Sequence, residues 1–264
     1  MKYTRYIILY SVTATLAVVP LRAGQIMPSF WGAPAGWTTD RYNPASFTDI
    51  GNYQGQQDVL QIGIDTSGNL NNRPPAYQYS FYNTQGEGYN ISGGVGDFIS
   101  AALFIPSAWN DPVNNGNVRT DLWAVMTDGT ANVTYYGIIG FTNYGGSPRL
   151  RVWDSAGSWI DLAPPVQYDQ WTNLGVALTP TSIVYLLNGD PAATVTDIGS
   201  TTSFSRTMIE AYNFGDPSIA GATVKPYTAE WANGTPEPGT MGLVLGGAAM
   251  VLVGYRRRSA RNGS

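Results

Sequence analysis

The sequence predicts an all-β body of two antiparallel sheets stacked face to face, and three observations predict it. Between residues 24 and 235 no stretch keeps apolar positions at helical spacing for more than about two turns, whereas short β-branched and aromatic runs recur between Gly, Asn, Asp and Pro clusters. Charged residues make up only 12% of the 264-residue chain while Gly numbers 31, a composition that suits many tight turns. Asn188-Gly189 separates two apolar runs, and both residues tolerate the positive φ of a type I′ hairpin turn. At 43% hydrophobic content the chain can close one sizeable core as a single domain between terminal signals.

Met1 to Ala23 reads as a secretory signal peptide: Lys2 and Arg5 open it, Tyr6 to Val19 form its apolar centre, and cleavage is expected after Ala23. Residues 24–57 carry Pro28, Pro34 and Pro44 with Trp31 and Trp37, a pattern expected of irregular chain joining the sandwich. Residues 58–232 form the sandwich itself. Its expected strands are 58–65, 77–82, 97–105, 120–127, 133–141 and 149–153, each bounded by turn formers. Trp171 to Leu178 then turns at Thr179-Pro180-Thr181 into Ile183 to Leu187, and Asn188-Gly189 returns the chain through Thr194-Val-Thr196. Met208 to Asn213 and Tyr227 to Trp231 complete the set.

That succession of a tryptophan-led strand, a partner ending in Asn-Gly and a late strand ending in an aromatic residue resembles the laminin-G and concanavalin-A-like jelly-roll superfamily. The resemblance covers roughly residues 40–232 and implies a fold rather than a function.

The last thirty or so residues hold Pro236-Glu237-Pro238 in a linker over 233–240, an apolar run over 241–255 and a basic end over 256–264 that opens with Arg256-Arg257-Arg258. No charge interrupts Met241 to Val253, so the run is expected to enter the membrane as a helix and stop there, with its arginines in the cytoplasm. Fifteen residues at ~1.5 Å each span roughly 22 Å, less than a hydrocarbon core of about 30 Å, which suits transient anchoring. The order of parts resembles the PEP-CTERM sorting tail of exported bacterial proteins. The resemblance implies an exosortase-type transpeptidase as partner, recognition at Pro236, Glu237 and Pro238, and transfer of the body to the cell surface or extracellular matrix.

Composition narrows the chemistry. Histidine and cysteine are both absent, which removes His-based triads, thiolate nucleophiles and the usual zinc, copper and haem ligands. Residues 24–235 hold seven basic side chains against seventeen acidic ones, a balance of −10 that repels nucleic acid. Carboxylate chemistry and oxygen-ligated calcium remain. Asp111, Asn114 and Asp128 are the calcium candidates, although Asp and Asn also form turns without metal.

The glucanase branch of the resembling superfamily carries Glu-x-Asp-x-(x)-Glu on one strand, and nothing here matches it. The body has three isolated glutamates, Glu87, Glu210 and Glu230, and a catalytic pair would have to assemble through the fold, for instance from Glu210 and Glu230. Trp153 and Trp159, joined by a short turn, are the expected glycan-contacting rings. The reading is therefore a non-catalytic, surface-sorted protein that binds carbohydrate or matrix and is not an enzyme. Its alternatives are a divergent polysaccharide hydrolase or lyase and a passive structural component of the envelope.

Overall fold

The computed structural model describes residues 24–79, 83–154 and 157–234. Its strands in chain order are β1 (Thr38–Asp40), β2 (Ser46–Asp49), β3 (Leu60–Ile64), β4 (Thr84–Gly94), β5 (Phe98–Ile105), β6 (Arg119–Thr127), β7 (Val133–Thr142), β8 (Arg149–Trp153), β9 (Trp159–Asp161), β10 (Gln170–Leu178), β11 (Ile183–Leu187), β12 (Asp190–Val195), β13 (Ser203–Tyr212) and β14 (Tyr227–Asn233). A single helical turn, α1 (Pro112–Asn115), precedes β6. One seven-stranded sheet runs β1-β4-β13-β6-β7-β8-β9 and the other runs β12-β11-β10-β5-β14-β3-β2. Neighbours in both are antiparallel. We call the first the cleft sheet and the second the back sheet.

The alternation of side chains along a strand decides what lies between the sheets. On β6, Leu122, Ala124 and Met126 are buried in the core, which leaves Asp121, Trp123 and Val125 on the opposite face. Ile139 and Phe141 from β7, Ile209 from β13, and Leu174, Val176 and Leu178 from β10 complete the same layer. Each of these side chains other than Ala124 contributes about 1.5–3 kcal/mol on burial. Its polar members are satisfied: Trp231 Nε1 donates to Thr120 Oγ1 at 3.1 Å, and Tyr185 Oη donates to the Trp153 carbonyl at 2.6 Å. The hairpin at Asn188-Gly189 forms as expected, with φ of 52° and 87°.

Two expectations are corrected. Residues 24–57 are not merely irregular: β1 closes an edge of the cleft sheet and β2 an edge of the back sheet, while Trp37 is buried against Phe30, Phe47 and Tyr89. The strand expected at 77–82 is a single 3₁₀ turn over Pro75–Tyr77, with 80–82 outside the described residues. The strand that fills its place is β4, whose glycines hide it from a propensity reading.

The expected signal peptide, the Pro236-Glu237-Pro238 motif, the apolar run and Arg256 to Arg258 all lie outside the described residues. Among the described residues, no helix is long and apolar enough to cross a membrane.

Candidate active site

One crosswise row of the cleft sheet carries its charge. From edge to edge, Asp40 on β1 pairs with Gly86 on β4, Gly86 with Glu210 on β13, Glu210 with Asp121 on β6, Asp121 with Gly140 on β7, Gly140 with Arg151 on β8, and Arg151 with Asp161 on β9. Directly opposed residues hold their Cβ atoms about 4.5–5.5 Å apart on one face. The Glu210 and Asp121 carboxyls are therefore neighbours on the outward face.

A cleft of about 800 Å³ lies over this face, lined in part by Arg41, Arg119, Trp123, Trp153, Trp159 and Tyr212. A bulge helps to shape it. Against β6, Ser205 is the extra residue on β13, so Phe204 and Thr207 both face the core although three positions apart, and Arg206 turns into the cleft.

The two carboxyls sit in different surroundings. Glu210 is fully buried, and among the described residues no hydrogen-bond donor reaches either of its oxygens. Burial, then the nearby Asp40 carboxylate, pushes its pKa well above the usual carboxylate range of about 4.5, and the Arg41 guanidinium, 3.9 Å away, only partly opposes this. Burial thus biases Glu210 toward its protonated form. Asp121 is instead held by charge: Arg119 Nε donates to its Oδ2 at 2.7 Å, while its buried Oδ1 has no donor among the described residues. Arg119 in turn lies over the rings of Trp159 and Tyr212, at 4.7 and 5.0 Å.

Trp153 and Trp159, expected to face one another across a turn, pair directly between β8 and β9, with ring centroids 5.0 Å apart and planes at 65°. Both line the cleft. Glu230 does not join Glu210. It lies on β14 of the back sheet and accepts from Gln61 Nε2 at 3.0 Å, so the pair posed from sequence does not assemble.

The calcium candidates occupy two separate loops. Asp111 caps α1 by accepting from Asn114 N and Asn114 Nδ2, and Asp128 accepts from Thr130 N, Thr130 Oγ1 and Asn132 N within its own turn. These hydrogen bonds, led by the Asn114 and Thr130 side chains respectively, lower both carboxyl pKa values. Among the described residues, no three acidic side chains cluster to hold a metal.

Asp121, Asp40 and Arg41 were missed by sequence reasoning. A signal for the first does exist: Arg119-x-Asp121-x-Trp123, Arg149-x-Arg151-x-Trp153 and Arg206-x-Met208-x-Glu210-x-Tyr212 each put charge and aromatic rings on alternate positions of an otherwise apolar strand.

No protein-family model matches the chain, and no curated protein matches its sequence. Among solved structures it is similar to a glycoside hydrolase family 16 endo-glucanase from Bacteroides ovatus, at 12% identity and a TM-score of 0.47, over 77% of this chain and 97% of that one. A Bacillus licheniformis β-glucanase matches at 13% identity and a TM-score of 0.44, over 79% of this chain and 96% of that one. A sialidase matches at 11% identity and a TM-score of 0.44, over 75% of this chain, which spans only 16% of the sialidase's length. The fold that these comparisons meet is an all-β sandwich of two antiparallel sheets.

The expectation of a non-catalytic binding protein is corrected here. The solved structures named above are glycan-cleaving enzymes. A carboxyl pair that no single strand supplies is brought together across β13 and β6, with the pKa of one member raised by burial.

Proposed function

We propose that the chain is a polysaccharide hydrolase whose catalytic pair is Glu210 and Asp121. The single observation that carries this reading is their direct opposition in the buried row beneath an aromatic-lined cleft, with burial raising the Glu210 pKa. Directly opposed residues on neighbouring strands leave little room for a water between their carboxyls, which suits cleavage with retention of configuration. Asp121 attacks the anomeric carbon while Glu210 gives its proton to the departing glycosidic oxygen, which leaves a glycosyl ester on Asp121. Glu210, now a carboxylate, takes a proton from water as the water attacks, and Asp121 is released. Arg119, seated on the rings of Trp159 and Tyr212, holds Asp121 in place by one oxygen. Trp153 and Trp159 offer aromatic faces to sugar rings.

The sorting tail supports a place for this activity. The body would be exported, anchored briefly through 241–255, and released by an exosortase-type enzyme acting at Pro236-Glu237-Pro238 to meet its substrate at the cell surface. The test is release of reducing ends from a panel of neutral and acidic polysaccharides. Release from at least one is expected, and release from none overturns the reading.

A further inference from the structure

The charge of the cleft is opposite to that of the body. Residues 24–235 are strongly acidic, yet five of their seven basic side chains, Arg41, Arg119, Arg149, Arg151 and Arg206, belong to the cleft sheet or to the end of β1. Three are matched by carboxylates: Arg41 by Asp40 at 2.6 Å, Arg119 by Asp121 at 2.7 Å and Arg149 by Asp161 at 2.9 Å. Arg151 and Arg206 are not, among the described residues. Arg206 Nη2 donates to the Thr38 carbonyl and Oγ1 at 2.8 and 2.9 Å, and its buried Nε has no acceptor. Arg151 lies 3.8 Å over the Trp159 ring, and its Nε is likewise buried without an acceptor. Burial lowers the Arg151 pKa to about 10, so it remains a cation at neutral pH. Arg206 lines the cleft with Arg41 and Arg119, while Arg151 lies against the cleft residue Trp159 and feels Asp121 and Asp161.

Their positions bracket the acid. Arg206 stands four residues from Glu210 along β13, about 13 Å at the rise of a strand. Arg151 stands three strands away in the same crosswise row, about 14 Å at the usual strand spacing. The fold also makes room for Arg206, because a side chain on Gly88 would collide with its guanidinium. A neutral glycan would strip water from both cations and return no charge, which costs free energy. An anionic one would bring a compensating charge to the Arg206 guanidinium at the cleft wall.

We infer that the cleft takes an acidic polysaccharide, with carboxylate- or sulfate-bearing sugars seated against Arg206 and with Arg151 adding positive charge behind Trp159. This rests on the catalytic reading for the role of the cleft but is tested apart from it. The full chain bearing Glu210→Gln, which separates binding from cleavage, is run on native gels containing polygalacturonate, a sulfated galactan or a neutral β-glucan. Retardation by an acidic polymer and not by the glucan is expected, and which of the two acidic polymers retards it identifies the anion. Arg206→Gln and Arg151→Gln should each weaken retention by about tenfold. Arg206→Lys, which keeps the charge but loses the planar geometry, should retain only part of it, and Lys225→Gln, a charge loss outside the cleft, should change nothing.

Equal or stronger retardation by the glucan overturns the inference, as does retention that ignores Arg206 and Arg151. Wild-type cleavage of a neutral glucan with no retention of acidic polymers sinks the charge assignment and leaves the catalytic pair standing. Retention of an acidic polymer without product release from any polysaccharide does the reverse.

Discussion

Glu210 on β13 stands directly opposite Asp121 on β6, and each has a glycine as its neighbour on the far side, Gly86 on β4 and Gly140 on β7. A side chain added at Gly86 would meet the Ile209 carbonyl and the Glu210 carboxyl, and one at Gly140 would meet the Thr120 carbonyl and the Asp121 carboxyl. The two glycines are the space into which the carboxyls fit. Gly86→Ala and Gly140→Ala should therefore each destabilise the fold by about 1–3 kcal/mol, as overpacking does. Urea denaturation measures this, and a midpoint equal to wild type would show that the row has slack.

The buried acid makes stability depend on pH. A carboxyl whose pKa is higher in the folded than in the unfolded chain binds its proton more tightly when folded, so stability is fully present below the unfolded value, near 4.5. It falls as pH rises from there toward the folded value, with a slope approaching about 1.4 kcal/mol per pH unit from this one group. Glu210→Gln removes the titration. Thermal midpoints of the two proteins should diverge as pH rises above about 4.5, with the variant gaining relative to wild type. Parallel curves would mean that Glu210 is not held as an acid.

Trp159 contacts Arg119, Arg151 and Trp153 at once. Trp159→Ala should raise KM on a polysaccharide by about tenfold while shifting stability by only about 1–2 kcal/mol, the scale of exposed cation–π and aromatic contacts. Trp231→Ala, which empties a fully buried site between the sheets, should cost about 3–5 kcal/mol. Kinetics and denaturation of the two variants side by side separate a cleft ring from a core ring.

The sorting proposal predicts that surface material lacks the residues beyond Pro236-Glu237-Pro238. Glu237→Ala should leave the intact chain in the membrane fraction. Mass spectrometry of both fractions reads the outcome, and efficient release of the variant would contradict recognition at this motif.

Most of the sandwich was legible in the sequence. Strands with dense β-branched and aromatic alternation, such as β6, β10 and β11, lie where the pattern puts them, because one face of each must be buried. The strand β4 was illegible because Thr84-Gln-Gly-Glu-Gly-Tyr-Asn-Ile-Ser-Gly-Gly94 reads as turn chemistry. Two of those glycines make space for Glu210 and Arg206, a demand made by neighbouring strands and absent from the local sequence. β1 was hidden for a related reason: three residues give no periodicity, yet pairing with β4 brings Asp40 into the row of Glu210. The catalytic pair escaped a search along single strands because its members are 89 positions apart and meet only through register. Trp153 and Trp159, in contrast, were readable as partners because a short turn joins them.

The most direct measurement is the rate of reducing-end release, on whichever polysaccharide the wild-type chain cleaves, for Glu210→Gln and Asp121→Asn. The account predicts that each lowers kcat by roughly 10²–10⁴-fold, the scale of a lost proton-transfer or nucleophilic group, while circular dichroism stays that of wild type and the wild-type product keeps its anomeric configuration. Variants that turn over at the wild-type rate would contradict it.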